Sequence, residues 1–160
     1  ESPTVFRYID WLLTVPLLMI EFYFILAAVT TVSVGIFWRL LIGTVVMLVG
    51  GYMGEAGMVS VMTGFIIGMI GWLYIIYEIF AGEASKANAS SGSAACQTAF
   101  GALRLIVTVG WAIYPLGYFL GYLAGGTDPA TVNIVYNLAD FVNKIAFGLI
   151  IWAAAVKESA

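Results

Sequence analysis

Long apolar stretches, separated by short polar segments, run along almost the whole chain. Five of them, at residues 5–30, 38–53, 58–80, 99–124 and 130–156, approach the length of about 20 residues that a helix needs to cross a bilayer. The second could begin as early as Val34. The apolar runs are continuous rather than alternating, so helices must satisfy the backbone in lipid. The pattern predicts an all-α membrane protein in which residues 1–160 form a single bundle of five transmembrane helices.

The polar segments between the stretches carry cap and loop signals. Asp128 followed by Pro129 is typical of a helix start, because Asp caps the free N–H groups and proline suits the first helical position. The longest connector, residues 81–95, is rich in Ser, Ala and Gly, and we expect a flexible loop there. A formal glycosylation acceptor at Asn88 is attributed to chance in this Ser-rich segment.

Composition agrees with a membrane protein and excludes several classes. Hydrophobic residues make up 62% of the 160 positions and charged residues 9%, whereas soluble domains carry about 25% charged residues. The net charge of -3 and the lack of a basic block exclude a nucleic-acid partner. A single cysteine excludes an intrachain disulfide, and the absence of histidine removes the commonest metal ligand. We therefore expect the lipid bilayer as the main partner and no metal.

The distribution of basic residues predicts the orientation in the membrane. With five helices, four basic residues fall on one side: Arg39, Lys86, Arg104 and Lys157. The opposite side carries only acidic residues near the helix ends: Glu1, Glu55 and Asp128. The excess of positive charge on cytoplasmic loops then places the N-terminus outside and the C-terminus in the cytoplasm.

The first apolar stretch contains three charged residues, each of which costs several kcal/mol at the centre of a bilayer. Asp10 and Glu21 are eleven positions apart, which places them about 20° apart around a helix and about 16 Å apart along it. Thr14 and Leu17 lie between them on the same face. Arg7 lies one turn outward of Asp10, and an interfacial Arg7–Asp10 ion pair is one interpretation.

The last apolar stretch carries Asp140 and Lys144 one helical turn apart. They could be a packing ion pair, but a desolvated lysine is also the amine that imine chemistry needs. Arg7 and Lys144 would balance Asp10 and Asp140, giving a neutral cluster. Glu21 would then lie outside the cluster in apolar surroundings and keep its proton. One carboxylate that accepts and one carboxylic acid that donates predict a proton path across the membrane.

Aromatic residues near these charges indicate a binding site for a rigid apolar ligand. Trp111, Tyr114 and Tyr118 share one helix face, and Pro115 between them favours a kink that could act as a hinge. Further walls could come from Trp11, Phe65, Gly68 and Trp72. The alternative is ordinary packing or an interfacial aromatic belt.

Three motifs resemble microbial rhodopsins of the proteorhodopsin type: RYIDWLLTVPLL at 7–18, WAIYP at 111–115 and DFVNK at 140–144. They are similar to the third, sixth and seventh helices of that family, in the right order. The resemblance implies that the five helices are the last five of seven. The chain begins at Glu1 without an initiator Met or a signal pattern, so we expect the natural protein to extend further toward its N-terminus.

The resemblance also implies a cofactor and a role for each charged residue. Lys144 would carry all-trans retinal as a protonated Schiff base. Asp10 would be the proton acceptor, Asp140 a counter-ion and Glu21 the cytoplasmic proton donor. Arg7 would belong to the release side, and Thr14 matches the middle position of the Asp-Thr-Glu pattern of proton pumps. Leu18 falls at a colour-tuning position, where Leu is the green-absorbing choice. The other residues that match pocket positions are Trp11, Met47, Gly51, Trp72, Trp111, Tyr114, Pro115 and Tyr118.

The function implied is a light-driven outward proton pump, which is an ion transporter rather than an enzyme, in the plasma membrane of a bacterium. Protons would be its cargo, and a homo-oligomer is expected because members of the family form rings. A photosensory rhodopsin that signals through a partner is the alternative, although such a sensor does not require a donor like Glu21. A channel or transporter that uses Lys144 only as an ion-pair partner is a third class.

Overall fold

Helices make up nearly all of the part of the chain that the structure describes, residues 3–159 of a computed structural model. Five spans are long and apolar enough to cross a membrane. The first two are α1 (Thr4–Ala27) and α2 (Val34–Glu55), and the third joins α3 (Val61–Phe80) to α4 (Glu83–Ser90). The fourth (Ala94–Leu123) contains α5 (Ala94–Leu105), a π-helical segment (Ile106–Gly110), α6 (Ile113–Tyr118) and a second π-helical segment (Phe119–Leu123). The fifth is α7 (Pro129–Glu158), and the predicted all-α membrane bundle is confirmed.

Polar capping residues determine where the helices begin, and the pattern of apolar residues alone does not indicate them. Ser33 accepts a hydrogen bond from a backbone N–H at the start of α2, so α2 begins at Val34, the earlier of the two predicted starts. Ser93 does the same for α5, which begins at Ala94, before the predicted start of that span. The first span ends at Ala27, slightly before its predicted end.

The cap of α7 is the most complete of these. Asp128 accepts hydrogen bonds from the backbone N–H groups of Ala130 and Thr131 and from the Thr131 hydroxyl, and Pro129 occupies the first helical position. The bond from the Thr131 hydroxyl, helped by the backbone N–H groups, holds the pKa of the Asp128 carboxyl below its usual range. The charged cap is therefore fully formed at neutral pH and is lost only as the pH falls through that lowered pKa.

The prediction of a flexible loop at residues 81–95 is wrong, because most of this segment is α4. Glu78, buried at the end of α3, accepts a hydrogen bond from the backbone N–H of Ala84 and so links the two helices. Arg39 of α2 binds Glu78 at 2.9 Å and Glu83 at 2.6 Å. These contacts come from distant parts of the chain, which a local Ser/Ala-rich composition cannot indicate.

Small residues bring α2 and α3 into backbone contact. A methyl group on Gly64 would lie 2.5 Å from the Cα of Gly54, and one on Gly71 would lie 2.5 Å from the backbone nitrogen of Met47. Glycine is therefore required at both crossings, as is common where membrane helices pack closely. The pair α2–α3 forms one fixed wall of the space enclosed by the bundle.

Large apolar side chains from three spans fill the other half of the bundle. Phe22 of α1 packs edge to face against Phe100 of α5 and Phe147 of α7, and all three are fully buried. Met19 and Tyr136 extend the same core toward the opposite end. This packing holds α1, α5 and α7 together on the side of the bundle where the charged residues of α1 and α7 face each other.

Candidate functional site

The ammonium group of Lys144 lies against two carboxylates. Lys144 Nζ is 2.6 Å from Asp10 Oδ2 on α1 and 3.7 Å from Asp140 Oδ2 on its own helix, α7. The sequence pattern predicted the second neighbour, one helical turn away, but the closer contact is with Asp10. A charge-assisted hydrogen bond of this length is stronger than a bond between neutral groups. The Lys144–Asp10 pair therefore joins the first and fifth spans.

Asp140 is held in place by donors from two other spans. Trp11 Nε1 of α1 donates to its Oδ2 at 2.9 Å, and Tyr114 Oη of α6 donates to its Oδ1 at 2.7 Å. Both carboxylate oxygens thus have a fixed partner besides Lys144. Since the donors are aromatic side chains packed edge to face, 5.2 Å between ring centres, the orientation of Asp140 is set by the surrounding rings.

A cavity of about 100 Å³, partly open to the outside, extends from Lys144 between the spans. All of the pocket residues that the sequence suggested line it: Trp11, Leu18, Met47, Gly51, Phe65, Gly68, Trp72, Trp111, Tyr114, Pro115 and Tyr118. Asp140 also contributes to its wall, whereas Arg7, Asp10, Thr14 and Glu21 are not among the lining residues. The structure thus brings together residues from all five spans around one amine.

Many of the residues that line this cavity are aromatic, and two of these rings have their polar atom bonded to a backbone oxygen. Trp72 Nε1 donates to the backbone oxygen of Val107 at 2.8 Å, and Tyr118 Oη donates to that of Val61 at 2.9 Å. Each ring therefore presents an apolar surface to the cavity. Among the described residues that line it, Lys144 carries the only amine. The lining residues therefore fit an apolar ligand and place one amine beside it.

Arg7 does not pair with Asp10, and the predicted neutral cluster of four charges is wrong. Its Nη1 lies 3.2 Å from Glu55 Oε2 at the end of α2, and both side chains are almost completely buried, at 5% and 1% exposure. Glu55 also accepts hydrogen bonds from Tyr8 Oη at 3.0 Å and Tyr122 Oη at 2.8 Å. A carboxylate with three enclosed donors is a better partner for Arg7 than the half-exposed Asp10.

Aromatic rings enclose the rest of the Arg7 guanidinium. Its central carbon lies 4.8 Å from the ring centre of Tyr136 and 5.7 Å from that of Trp11, both distances at which a cation is attracted to a π face. Nη2 is buried without a hydrogen-bond partner among the described residues. The charges therefore fall into two separate groups: Arg7 is balanced by Glu55, whereas the single positive charge of Lys144 faces two aspartates.

Glu21 and Thr14 occupy different environments on α1. Glu21 Oε2 is buried with no hydrogen-bond partner among the described residues. Thr14 Oγ1 donates to the backbone oxygen of Asp10 at 3.0 Å, so its hydroxyl is bonded to the helix backbone and not to the Asp10 carboxylate. Eleven helical positions separate Glu21 from Asp10, about 16 Å along the axis.

Three residues of the site were not predicted from the sequence. Glu55 had been placed only as an acidic residue near a helix end, and nothing local marked it as the partner of Arg7. Tyr136 lies one turn before Asp140, and Asn143 lies one turn after it, so both share its helix face. That spacing could have predicted that they line the cavity, as they do.

Five apolar helical spans around a cavity with a central lysine and paired carboxylates define a helical membrane protein with a site for an apolar ligand. Residues 1–158 match the protein family described as "Bacteriorhodopsin-like protein". The chain belongs to this family.

Proteorhodopsins are among the proteins that the chain is similar to. The chain is 59% identical over 161 residues to the green-light absorbing proteorhodopsin of Gamma-proteobacterium EBAC31A08 and 59% identical over 162 residues to the blue-light absorbing proteorhodopsin of Gamma-proteobacterium Hot 75m4. Each alignment covers 100% of the chain, which spans 64% of the length of each relative. The crystal structure of blue light-absorbing proteorhodopsin from Med12 is similar with a TM-score of 0.82 and 57% identity, over 99% of this chain and 70% of that one.

Because the Arg7–Glu55 pair is buried, we expect substitution of Glu55 to destabilise the fold more than substitution of the exposed Glu83. Glu55→Gln should lower the free energy of unfolding by about 3–5 kcal/mol, since it leaves Arg7 buried without a counter-charge. Glu83→Gln removes a carboxylate that pairs with Arg39. Because the Glu83 side chain is 54% exposed, this change should lower the free energy of unfolding by less than about 1 kcal/mol. Thermal denaturation of both variants in the same lipid provides the comparison. Equal effects would show that Arg7 does not depend on Glu55.

Proposed function

We propose that the protein is a light-driven proton pump that moves protons outward and binds all-trans retinal through Lys144. The observation that carries this proposal is the 2.6 Å contact between Lys144 Nζ and Asp10 Oδ2 beside an aromatic cavity. A dissociable proton on the nitrogen then has an acceptor within hydrogen-bond distance. The membership of the chain in the bacteriorhodopsin-like family supports this interpretation.

The cavity fits retinal in shape and in chemistry. Trp72, Trp111 and Tyr118 provide flat apolar walls, and Gly51 leaves room that a larger side chain would fill against Tyr8. If bound at Lys144, retinal would supply visible absorption and a light-induced isomerisation. Its aldehyde would need one accessible amine for attachment, and the position of Lys144 on the cavity wall supports it as that amine.

The two aspartates near Lys144 have different roles in this proposal. Asp10 has the shorter contact with Nζ and is the acceptor of its proton. Asp140 lies 3.7 Å from Nζ, and its oxygens already accept hydrogen bonds from Trp11 and Tyr114, so it is proposed as the fixed second counter-ion of the site.

The Arg7–Glu55 pair lies on the outward side of Asp10 in the predicted orientation. Arg7 is one turn from Asp10 on α1, and Tyr8 and Tyr122 surround Glu55 with hydroxyl groups. A proton on Asp10 therefore has buried polar groups between it and the outer end of the bundle. We assign these groups to the release side, which extends the role expected for Arg7 to its partner.

Glu21 is the proton donor on the cytoplasmic side in this proposal. Its buried oxygen has no partner among the described residues, which favours the neutral acid. Because α1 runs inward from Asp10 to Glu21, the two carboxyl groups lie in opposite halves of the membrane. The proton of Glu21 would refill the Lys144 nitrogen from inside, after Asp10 has taken the first proton outward.

The setting proposed for this transporter is the inner membrane of a bacterium, with the C-terminus in the cytoplasm. The positive residues on one side of the bundle support that orientation. Protons are the cargo and the bilayer the surrounding partner, and a homo-oligomer is proposed as the assembled form. Leu18, which lines the cavity, is proposed to tune absorption toward green.

Lys144→Ala should abolish visible absorption of the full-length protein after addition of all-trans retinal, because the cavity then has no amine. Lys86→Ala is the matched control, since Lys86 is exposed on α4, and should keep the visible band. The measurement is an absorption spectrum after washing with hydroxylamine, which removes loosely bound retinal. A visible band retained by Lys144→Ala would mean that retinal attaches elsewhere.

Glu21→Gln should leave the first proton transfer intact, since Asp10 is still present, but should slow the return of the proton to the Lys144 nitrogen. That return should slow further as pH rises, because protons must then come from bulk water, and azide should restore it. Flash photolysis across a pH series measures both steps. Light-driven pH changes in a cell suspension measure direction.

Two outcomes would contradict the role of Glu21 in outward pumping. One is unchanged late kinetics in Glu21→Gln. The other is light-driven alkalinisation of the medium by correctly oriented wild-type protein. A photosensory rhodopsin, the alternative function, would show a light response without net proton transport.

A further inference from the structure

The fourth span contains a π-helical segment, Ile106–Gly110, directly before the turn that leads into α6. The backbone N–H of Trp111 donates to the oxygen of Ile106 at 2.8 Å, a bond between residues five positions apart. Such a segment inserts an extra residue and offsets the carbonyl groups from their usual donors. Carbonyls near a π segment are therefore open to donors from neighbouring helices.

Two side chains from other spans donate to this segment. Trp72 Nε1 of α3 donates to the oxygen of Val107 at 2.8 Å, and Asn143 Nδ2 of α7 donates to the oxygen of Gly110 at 3.1 Å. Both donors also line the cavity next to Lys144. The π segment is thus bonded to the walls of the ligand site on two sides.

Asn143 has a second contact that Trp72 lacks. Its Nδ2 also lies 3.5 Å from Tyr114 Oη, and Tyr114 donates its hydroxyl proton to Asp140 Oδ1 at 2.7 Å. The amide can donate one N–H to each acceptor. A donor to the tyrosine oxygen polarises its O–H and strengthens the bond to the carboxylate. One chain of hydrogen bonds therefore runs from Gly110 through Asn143 and Tyr114 to Asp140.

Glycine at position 110 is required for this chain. A methyl group on Gly110 would overlap Asn143 Oδ1, so any larger residue would push the amide away from the π segment. Asn143 itself is buried, with 8% of its surface exposed, and cannot turn to water instead. The contact between the two spans is therefore close and confined.

We propose that Asn143 is a positioning residue that couples the π segment of the fourth span to Asp140. A displacement of the fourth span at Gly110 stretches the bond to Asn143, which in turn weakens the hold of Tyr114 on Asp140. Conversely, a change of charge at Asp140 or Lys144 is transmitted to the segment before Pro115. Its significance for transport rests on the proposed function, but the coupling itself does not require retinal.

The test compares Asn143→Leu with Thr108→Val in the full-length protein in lipid, before and after retinal is added. Leu keeps the volume of Asn143 and removes its donors, whereas Thr108→Val removes a hydroxyl that donates to Arg104 O within the same span. Nuclear magnetic resonance of labelled Gly110 carbonyl, Tyr114 Cζ and Asp140 carboxyl carbons reads the chain directly. Hydrogen exchange of residues 106–115 reads the stability of the segment.

Asn143→Leu should shift all three signals and speed exchange in the segment about tenfold, the effect of losing a buried donor. Thr108→Val should leave the Tyr114 and Asp140 signals unchanged. Asn143→Ser, whose hydroxyl is too short to reach both acceptors, should act like Asn143→Leu and serves if that variant does not fold. A shift of Gly110 alone would overturn the coupling and reduce Asn143 to a local contact. Because the signals can be recorded without retinal, this result is independent of whether Lys144 binds it.

Discussion

A positive charge on Lys144, in the middle of a membrane helix, is the constraint on which the site depends. An ammonium group there must have an anion beside it, because the low-dielectric surroundings penalise an isolated charge. Asp10 at 2.6 Å meets this need from α1, and Asp140 at 3.7 Å meets it from α7. The donors that fix Asp140 bring in α6 as well. The first, fourth and fifth spans are thus held around one amine.

The buried Arg7–Glu55 ion pair is separate from the Lys144–Asp10 pair, and this separation is compatible with a directed proton path. Arg7 is balanced by Glu55 and enclosed by the rings of Tyr136 and Trp11, so it does not neutralise Asp10. Asp10 is then free to be the partner of Lys144. Glu21 lies about 16 Å from Asp10 along α1, and its buried oxygen has no hydrogen-bond partner in the part of the chain that the structure describes. Glu55, Asp10 and Glu21 thus lie in three different environments, and each has a different proposed role on one proton route.

Periodicity predicted those parts of the site in which the residues share a helix face. Asp140 with Lys144, and Trp111 with Tyr114 and Tyr118, lie together because 3.6 residues complete a turn. The Arg7–Glu55 pair joins residues 48 positions apart, so no local sequence pattern indicates it. The π segment Ile106–Gly110 could not be predicted for a related reason, since the side chains that donate to it come from α3 and α7. The helix α4 depends likewise on Glu78 and Arg39, and not on its own apolar pattern.

The proposed proton path depends most directly on Asp10 as the partner of Lys144, and a spectrophotometric titration of the retinal-bound, full-length protein tests this pairing. Wild type should shift to the red as acid protonates Asp10, because the positive nitrogen loses its nearest anion. Asp10→Asn should be red-shifted at neutral pH and lack that transition, while Asp128→Asn, outside the spans, should titrate like wild type. A colour that does not change between strongly acidic and alkaline buffer, or an Asp10→Asn variant that titrates like wild type, would contradict the account.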